Sequence, residues 1–125
     1  MNNYVTLSAC LDYSPMLNDA SLGVLATELP SPNFRFIAME LGLSHDEYED
    51  LNISHPNSIR ALKLDALILW RNKAREKFEL DNSEVLLHQL CTALDNQHRK
   101  DIKHNLRRIM DSPRTLKRGD IKSLH

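Results

Sequence analysis

Apolar positions recur at helical spacing along most of the chain, and no run alternates as a strand does. The pattern is densest from Pro56 to Lys77. There Ile59, Leu62, Ala66, Leu67, Leu69, Trp70 and Ala74 share one broad side at 100° per residue, while Leu64 and Ile68 lie opposite. A helix apolar on more than one side sits centrally, with neighbours on both flanks. The pattern therefore predicts a compact helical bundle built around this helix.

The flanking segments supply the neighbours. Asn18 or Asp19 caps a first helix with the stripe Leu22, Leu25, Ala26 and Leu29, and Pro30-Ser31-Pro32 stops it. Asn33 is placed to cap a second helix carrying Phe34, Ile37, Ala38 and Leu41, which Gly42 ends. Ser44 and Glu47 form a capping-box pattern for a short third helix that is anchored by Tyr48 and Leu51. A loop then runs from Asn52 to Asn57, Pro56 is suited to begin the central helix, and Asn57 or Ser58 is suited to cap it. Asn82 or Ser83 caps a fifth helix with Val85, Leu86, Leu87, Leu90, Cys91, Ala93 and Leu94 on its apolar side, and Asp95-Asn96 turns. The sixth, Gln97 to Met110, buries Ile102, Leu106 and Ile109. Residues 1–16 read as an N-terminal arm, 17–110 as the bundle, and 111–125 as a basic tail expected to fray. Phe34, Leu41, Leu67, Trp70, Leu90 and Leu94 are assigned to the core; Leu64 and Ile68 are either core or an exposed apolar pair.

At 125 residues and 42% hydrophobic content, one domain can bury its own core. The longest unbroken apolar run, Ala66 to Trp70, is far short of the ~20 residues of a membrane span. Met1-Asn-Asn-Tyr has no basic run followed by an apolar stretch, so no signal peptide is expected and Asn52-Ile53-Ser54 reads as an idle glycosylation acceptor. Cys10 and Cys91 show no paired spacing, which fits a reducing, cytoplasmic setting. The net charge of −1 conceals a strong polarity. Residues 1–56 hold one basic residue against eight acidic, and residues 99–125 hold nine basic against three acidic. Such a chain can present faces of opposite sign to copies or relatives of itself.

Six helices in this order resemble a death domain. Phe34-Arg35-Phe36-Ile37-Ala38-Met39-Glu40-Leu41-Gly42 is similar to that family's second helix: an aromatic, an aliphatic-alanine pair, then leucine-glycine. His55-Pro56-Asn57-Ser58-Ile59 followed by Leu67-Ile68-Leu69-Trp70 resembles its proline-preceded fourth helix. Leu87, Leu90, Ala93-Leu94 and then Arg99-Lys100-Asp101-Ile102 are similar to the fifth helix and the start of the sixth, and Asn57-Ser58 resembles the ankyrin type in particular. The likeness covers about residues 18–110; Phe34 stands where the family usually has tryptophan. It implies an all-α, six-helix antiparallel Greek-key bundle. The function it implies is that of a non-enzymatic adaptor module of intracellular and apoptotic signalling, binding another death domain, self or heterologous.

Enzyme chemistry finds no footing in the residues. There is no glycine-rich phosphate loop, nucleophile motif, HExxH or paired CxxC. His88 and Cys91 lie three apart, but Cys91 belongs to an apolar stripe; His98 and His104 lie six apart, off one helix face; His45 and His55 only flank the acidic helix. No metal and no cofactor is expected. What the death-domain resemblance requires instead is an asymmetric contact. Its negative half is assigned to Asp46, Glu47, Glu49 and Asp50 with Glu40, and its positive half to Arg71, Lys73, Arg75 and Lys77 with Arg99 and Lys100. The alternative is a small helical nucleic-acid binder using the basic residues from Arg99 to Lys122; it lacks aromatics for stacking, and its acidic N-terminal half repels phosphate. A membrane-surface helix at 97–110 lacks an aromatic on its apolar side.

Overall fold

The computed structural model describes residues 15–32, 34–77 and 83–121; of residues 74–77 and 83 it describes the backbone. Within them a 3-10 turn (Pro15–Leu17) precedes six helices, and there is no strand. These are α1 (Asp19–Glu28), α2 (Phe34–Glu40), α3 (His45–Ser54), α4 (Ile59–Lys77), α5 (Ser83–Asn96) and α6 (Lys100–Met110). The architecture is an all-α bundle, as the spacing of apolar positions predicts.

Helix α4 has 19 residues and is about 28 Å long. It packs against α1 most extensively and against α3; α2 bridges α3, α4 and α5, and α6 lies on α5. All meet in one core. Phe34, Leu41, Leu67, Trp70, Leu90 and Leu94 are buried in it, and Leu64 and Ile68 are half-buried against it. The indole of Trp70 keeps its polar end satisfied, donating Nε1–H to Gln89 Oε1 at 3.1 Å. Two members of the apolar stripes, Ile59 and Val85, are exposed instead; each stands in the first turn of its helix.

Local chemistry sets the helix ends. Asn18 Oδ1 accepts from Ser21 N at 2.8 Å, and Ser44 with Glu47 makes both bonds of the capping box. The cap assigned to Asn33 lies outside the described residues. The central helix starts at Ile59 rather than Pro56: Ser58 Oγ accepts from Ala61 N at 3.1 Å, so the serine is the cap and the proline belongs to the turn before it. Helix α3 also runs on to Ser54, through the start of the expected loop.

Helices α2 and α5 end alike. Leu43 N donates back to Ala38 O and Gly42 N to Met39 O; Arg99 N donates to Leu94 O and His98 N to Asp95 O. Both are Schellman turns, which need a left-handed residue before the last donor. Gly42 meets the need at φ 102°, whereas the second turn forces φ 61° on His98. This turn delays α6 to Lys100, three residues beyond the sequence expectation.

The C-terminal residues depart furthest from expectation. Residues 111–121 form a strap over α1, with Leu116 and Ile121 buried. Leu116 N donates to the buried Ser21 Oγ at 2.8 Å, and that hydroxyl donates to Pro15 O at 2.6 Å. Asn18 Nδ2 donates to Thr115 Oγ1 at 2.8 Å, and Gly119 N donates to a Glu28 carboxylate oxygen. Arg114 grips Asp120 through both terminal nitrogens, curling the strap, and that hydrogen bond holds the Asp120 carboxyl below its usual range. A tail poor in apolar residues packs because two aliphatics reach the core. Residues 1–14, most of the expected arm, and 122–125 lie outside the described residues.

Two stability measurements check this description. Leu116→Ala should lower the unfolding free energy in urea by about 2–5 kcal/mol, the cost of truncating a buried aliphatic, where a frayed tail would give no change. His98→Gly should raise it by about 0.5–1 kcal/mol by relieving the left-handed backbone.

Candidate functional site

The acidic helix α3 is set by its capping box, which aims its first turn outward and places Asp46 and Glu47 at the positive end of the helix dipole. From there Asp46, Glu49, Asp50 and Ile53 recur at three and four residues, along one side of the helix. Asp46 and Asp50 are exposed, Glu49 is partly so, and Ile53 is 76% exposed. Tyr48 and Leu51, on the other side, face the core. The outward side of α3 is thus three carboxylates with one exposed aliphatic at its end.

Glu47 and Glu40 belong elsewhere. Glu47 Oε1 accepts from Ser44 N and from Lys73 Nζ, both at 2.8 Å, and the Lys73 bond is the main reason its pKa is lowered. Lys73 also donates to Gly42 O at 3.1 Å. Glu40 accepts from Asn96 and Gln97 and so fastens α2 to the end of α5.

Of the assigned positive half, the four cations whose side chains are described all have partners within the chain. Arg71 is buried, with Nη1 donating to Leu17 O at 3.1 Å and to Asp19 Oδ1 at 2.8 Å; it ties α4 to the start of α1. Lys73 closes on α3 itself, so the two halves of the expected contact meet inside one chain. Arg99 binds Asp101 through two parallel bonds of 3.1 and 3.0 Å, which raises the arginine's pKa, and Lys100 lies 3.6 Å from Asp95. The side chains of Arg75 and Lys77 lie outside the described residues. Charge patterning cannot separate a free cation from a paired one, because each partner comes from a distant or turn position.

The exposed basic residues of the strap and α6 include Arg107, Arg108, Lys117 and Arg118, and α4 adds Arg60, whose Nε donates to Thr27 Oγ1 at 2.9 Å. Arg60 and Arg118 line one groove between α1 and α4. The missed signal was Arg118: it stood in a segment read as a loose tail.

Metal and nucleophile chemistry has no geometric support among the described residues. No group of three or more His, Cys, Asp or Glu side chains gathers around one point. His55 Nε2 lies 2.6 Å from Asp65, His45 lies beside Arg35, and His88 and His104 share an open groove with Arg107 and Arg108. Cys91 is buried, and burial pushes its thiol pKa up, away from the reactive thiolate. Among the described residues no helix is long and apolar enough to cross a membrane. Comparisons with protein-family models, with curated proteins and with solved structures give no match.

The Lys73–Glu47 pair sets a pH prediction. Glu47 titrates below its ordinary 4.5 in the folded chain, so it releases its proton more readily than in the unfolded chain. Its contribution is present above pH 4.5 and is lost as pH falls through the lowered value. Lys73→Met should therefore be less stable than wild type at neutral pH, and the gap should narrow as urea titrations move below pH 4.5. A gap independent of pH would show that the carboxylate plays no part.

Proposed function

We propose that this chain is a non-enzymatic interaction module of the death-domain type, which associates through a heterologous, charge-complementary contact with copies of itself and with related domains. The setting is cytoplasmic signalling, where such a module acts as an adaptor or as part of one. The observation that carries the reading is the outward side of α3: Asp46, Glu49, Asp50 and exposed Ile53, on a helix whose other side is spent on the core. The order of the motifs over residues 18–110, on six helices with boundaries close to those expected, supports it further.

Where each copy turns its acidic helix to one neighbour and a basic surface to another, the contact is heterologous and propagates into a ring or a stack. Charge of this kind mainly sets encounter rate and partner choice, and salt weakens it. The nucleic-acid alternative has fewer uncommitted cations than the sequence offers. Arg99, Lys103 and Arg114 each spend their charge on a carboxylate of the same chain, at 3.0, 2.8 and 2.7 Å.

Light scattering across protein concentration, at low and high salt, tests the proposal on wild type and on an Asp46→Lys, Asp50→Lys variant. Molar mass should grow with concentration for wild type and fall with salt, while the variant keeps its helical circular dichroism and stays monomeric. A wild type that is monomeric at every concentration and salt would overturn association with itself.

A further inference from the structure

The chain passes from α1 to α2 through Pro30-Ser31-Pro32, and Ser31 and Pro32 are exposed. Beneath this loop lies the ammonium of Lys63, a residue only 3% exposed. Its Nζ donates to Leu29 O at 2.7 Å and to Ser31 Oγ at 3.2 Å. We infer that Ser31 is a phosphorylation site of this chain, and that Lys63, with Arg60 beside it on α4, receives the phosphate. The inference does not rest on self-association.

The acceptor side is set by sequence and backbone. A serine followed by proline is the acceptor pattern that proline-directed protein kinases take. Pro32 biases Ser31 away from the helical region, and the ring of Pro30 fixes its own φ, so the serine stands on a short, restricted loop. Such a kinase would move the γ-phosphoryl group of ATP to Ser31 Oγ. The bond from phosphorus to the ADP oxygen breaks, a bond from phosphorus to Oγ forms, and the hydroxyl proton leaves to the kinase's base.

The receiving side is already in place. Among the described residues, neither Lys63 nor Arg60 has a carboxylate within ion-pair distance. Arg60 stands three residues before Lys63, on the same side of α4, and its Nε donates to Thr27 Oγ1 at 2.9 Å. Burial, and secondarily the Arg60 charge, lower the Lys63 pKa, as expected of a cation that lacks a counter-charge. A phosphate on Ser31 brings about −1.5 to −2 of charge and three acceptor oxygens to the atom this ammonium already touches. It thereby replaces a neutral acceptor by a charged one and ties the loop to α4. The carbonyl end of α1 opposes it, since the helix dipole is negative there, so the sign of the effect rests on Lys63. Ser112-Pro113, exposed at the end of α6, repeats the sequence pattern and serves as an internal control.

The test has two arms, both on the full chain. In the first, the folded protein is incubated with a proline-directed kinase and magnesium ATP, and the phosphate is located by mass spectrometry. Phosphate should appear at Ser31 and be lost in Ser31→Ala; a folded chain left unmodified at Ser31 would overturn the inference. In the second, phosphoserine is encoded at position 31 or, as control, at position 112, and the phosphate is titrated by phosphorus nuclear magnetic resonance. The phosphate at 31 should ionise about one pH unit or more below its ordinary second pKa of about 6, because Lys63 favours the dianion. The phosphate at 112 should stay near the ordinary value. Phosphorylation at 31 should also raise the urea midpoint of the wild type at neutral pH, and lower it in Lys63→Met, where only the helix dipole remains. If Lys63→Met does not fold, the titration decides. A phosphate at 31 that ionises like the one at 112, or that lowers the wild-type midpoint, would show that Lys63 does not receive it.

Discussion

Two buried cations on α4 hold α1 in place, and the rest of the fold is arranged around that pair of helices. Lys63 Nζ donates to Leu29 O at 2.7 Å and to Ser31 Oγ at 3.2 Å, just past the end of α1. Arg71 donates to Leu17 O and Asp19 at its start. The two cations stand eight residues apart on α4, so one helix grips the other at both ends and fixes it antiparallel. Taking a cation out of water is costly unless its protons are used. Carbonyls at the close of α1 also suit a positive charge, since the helix dipole is negative there. Burial nonetheless lowers the Lys63 pKa, the mark of a charge held at some expense.

With α1 held, its remaining surface organises both chain ends. Ser21, fully buried, joins the 3-10 turn to the strap through one hydroxyl that both donates and accepts. The strap in turn carries Arg118 to the edge of the α1–α4 groove. A stability device and a surface device are thus the same segment: Leu116 and Ile121 anchor it, and the basic residues between them face out.

What the sequence made legible follows from the range of the interactions involved. Periodicity and caps act within four residues, so the helices, the Ser44–Glu47 box and the Gly42 stop could be read directly. The six core assignments hold because a buried stripe leaves a strong periodic signal. The His98 turn was not legible, since histidine is not the residue a left-handed position favours. The strap was missed because burial of two aliphatics in an otherwise polar segment gives no period to detect. At the candidate site, the acidic side of α3 was readable as a local feature. The basic half was not: Arg71, Lys73 and Arg99 look free in a string of letters, and only the folded chain brings Asp19, Glu47 and Asp101 to them or orients their bonds.

The central claim is that two different surfaces of one chain meet in the contact. Nitrogen-edited nuclear magnetic resonance over a dilution series at low salt tests it most directly, because each backbone amide reports its own environment. The account predicts that concentration-dependent shifts fall on two separate groups, residues 46–53 of α3 and a second surface of the bundle apart from it. Shifts confined to a single patch would mean an isologous pair and would contradict it, as would a spectrum that does not change with concentration.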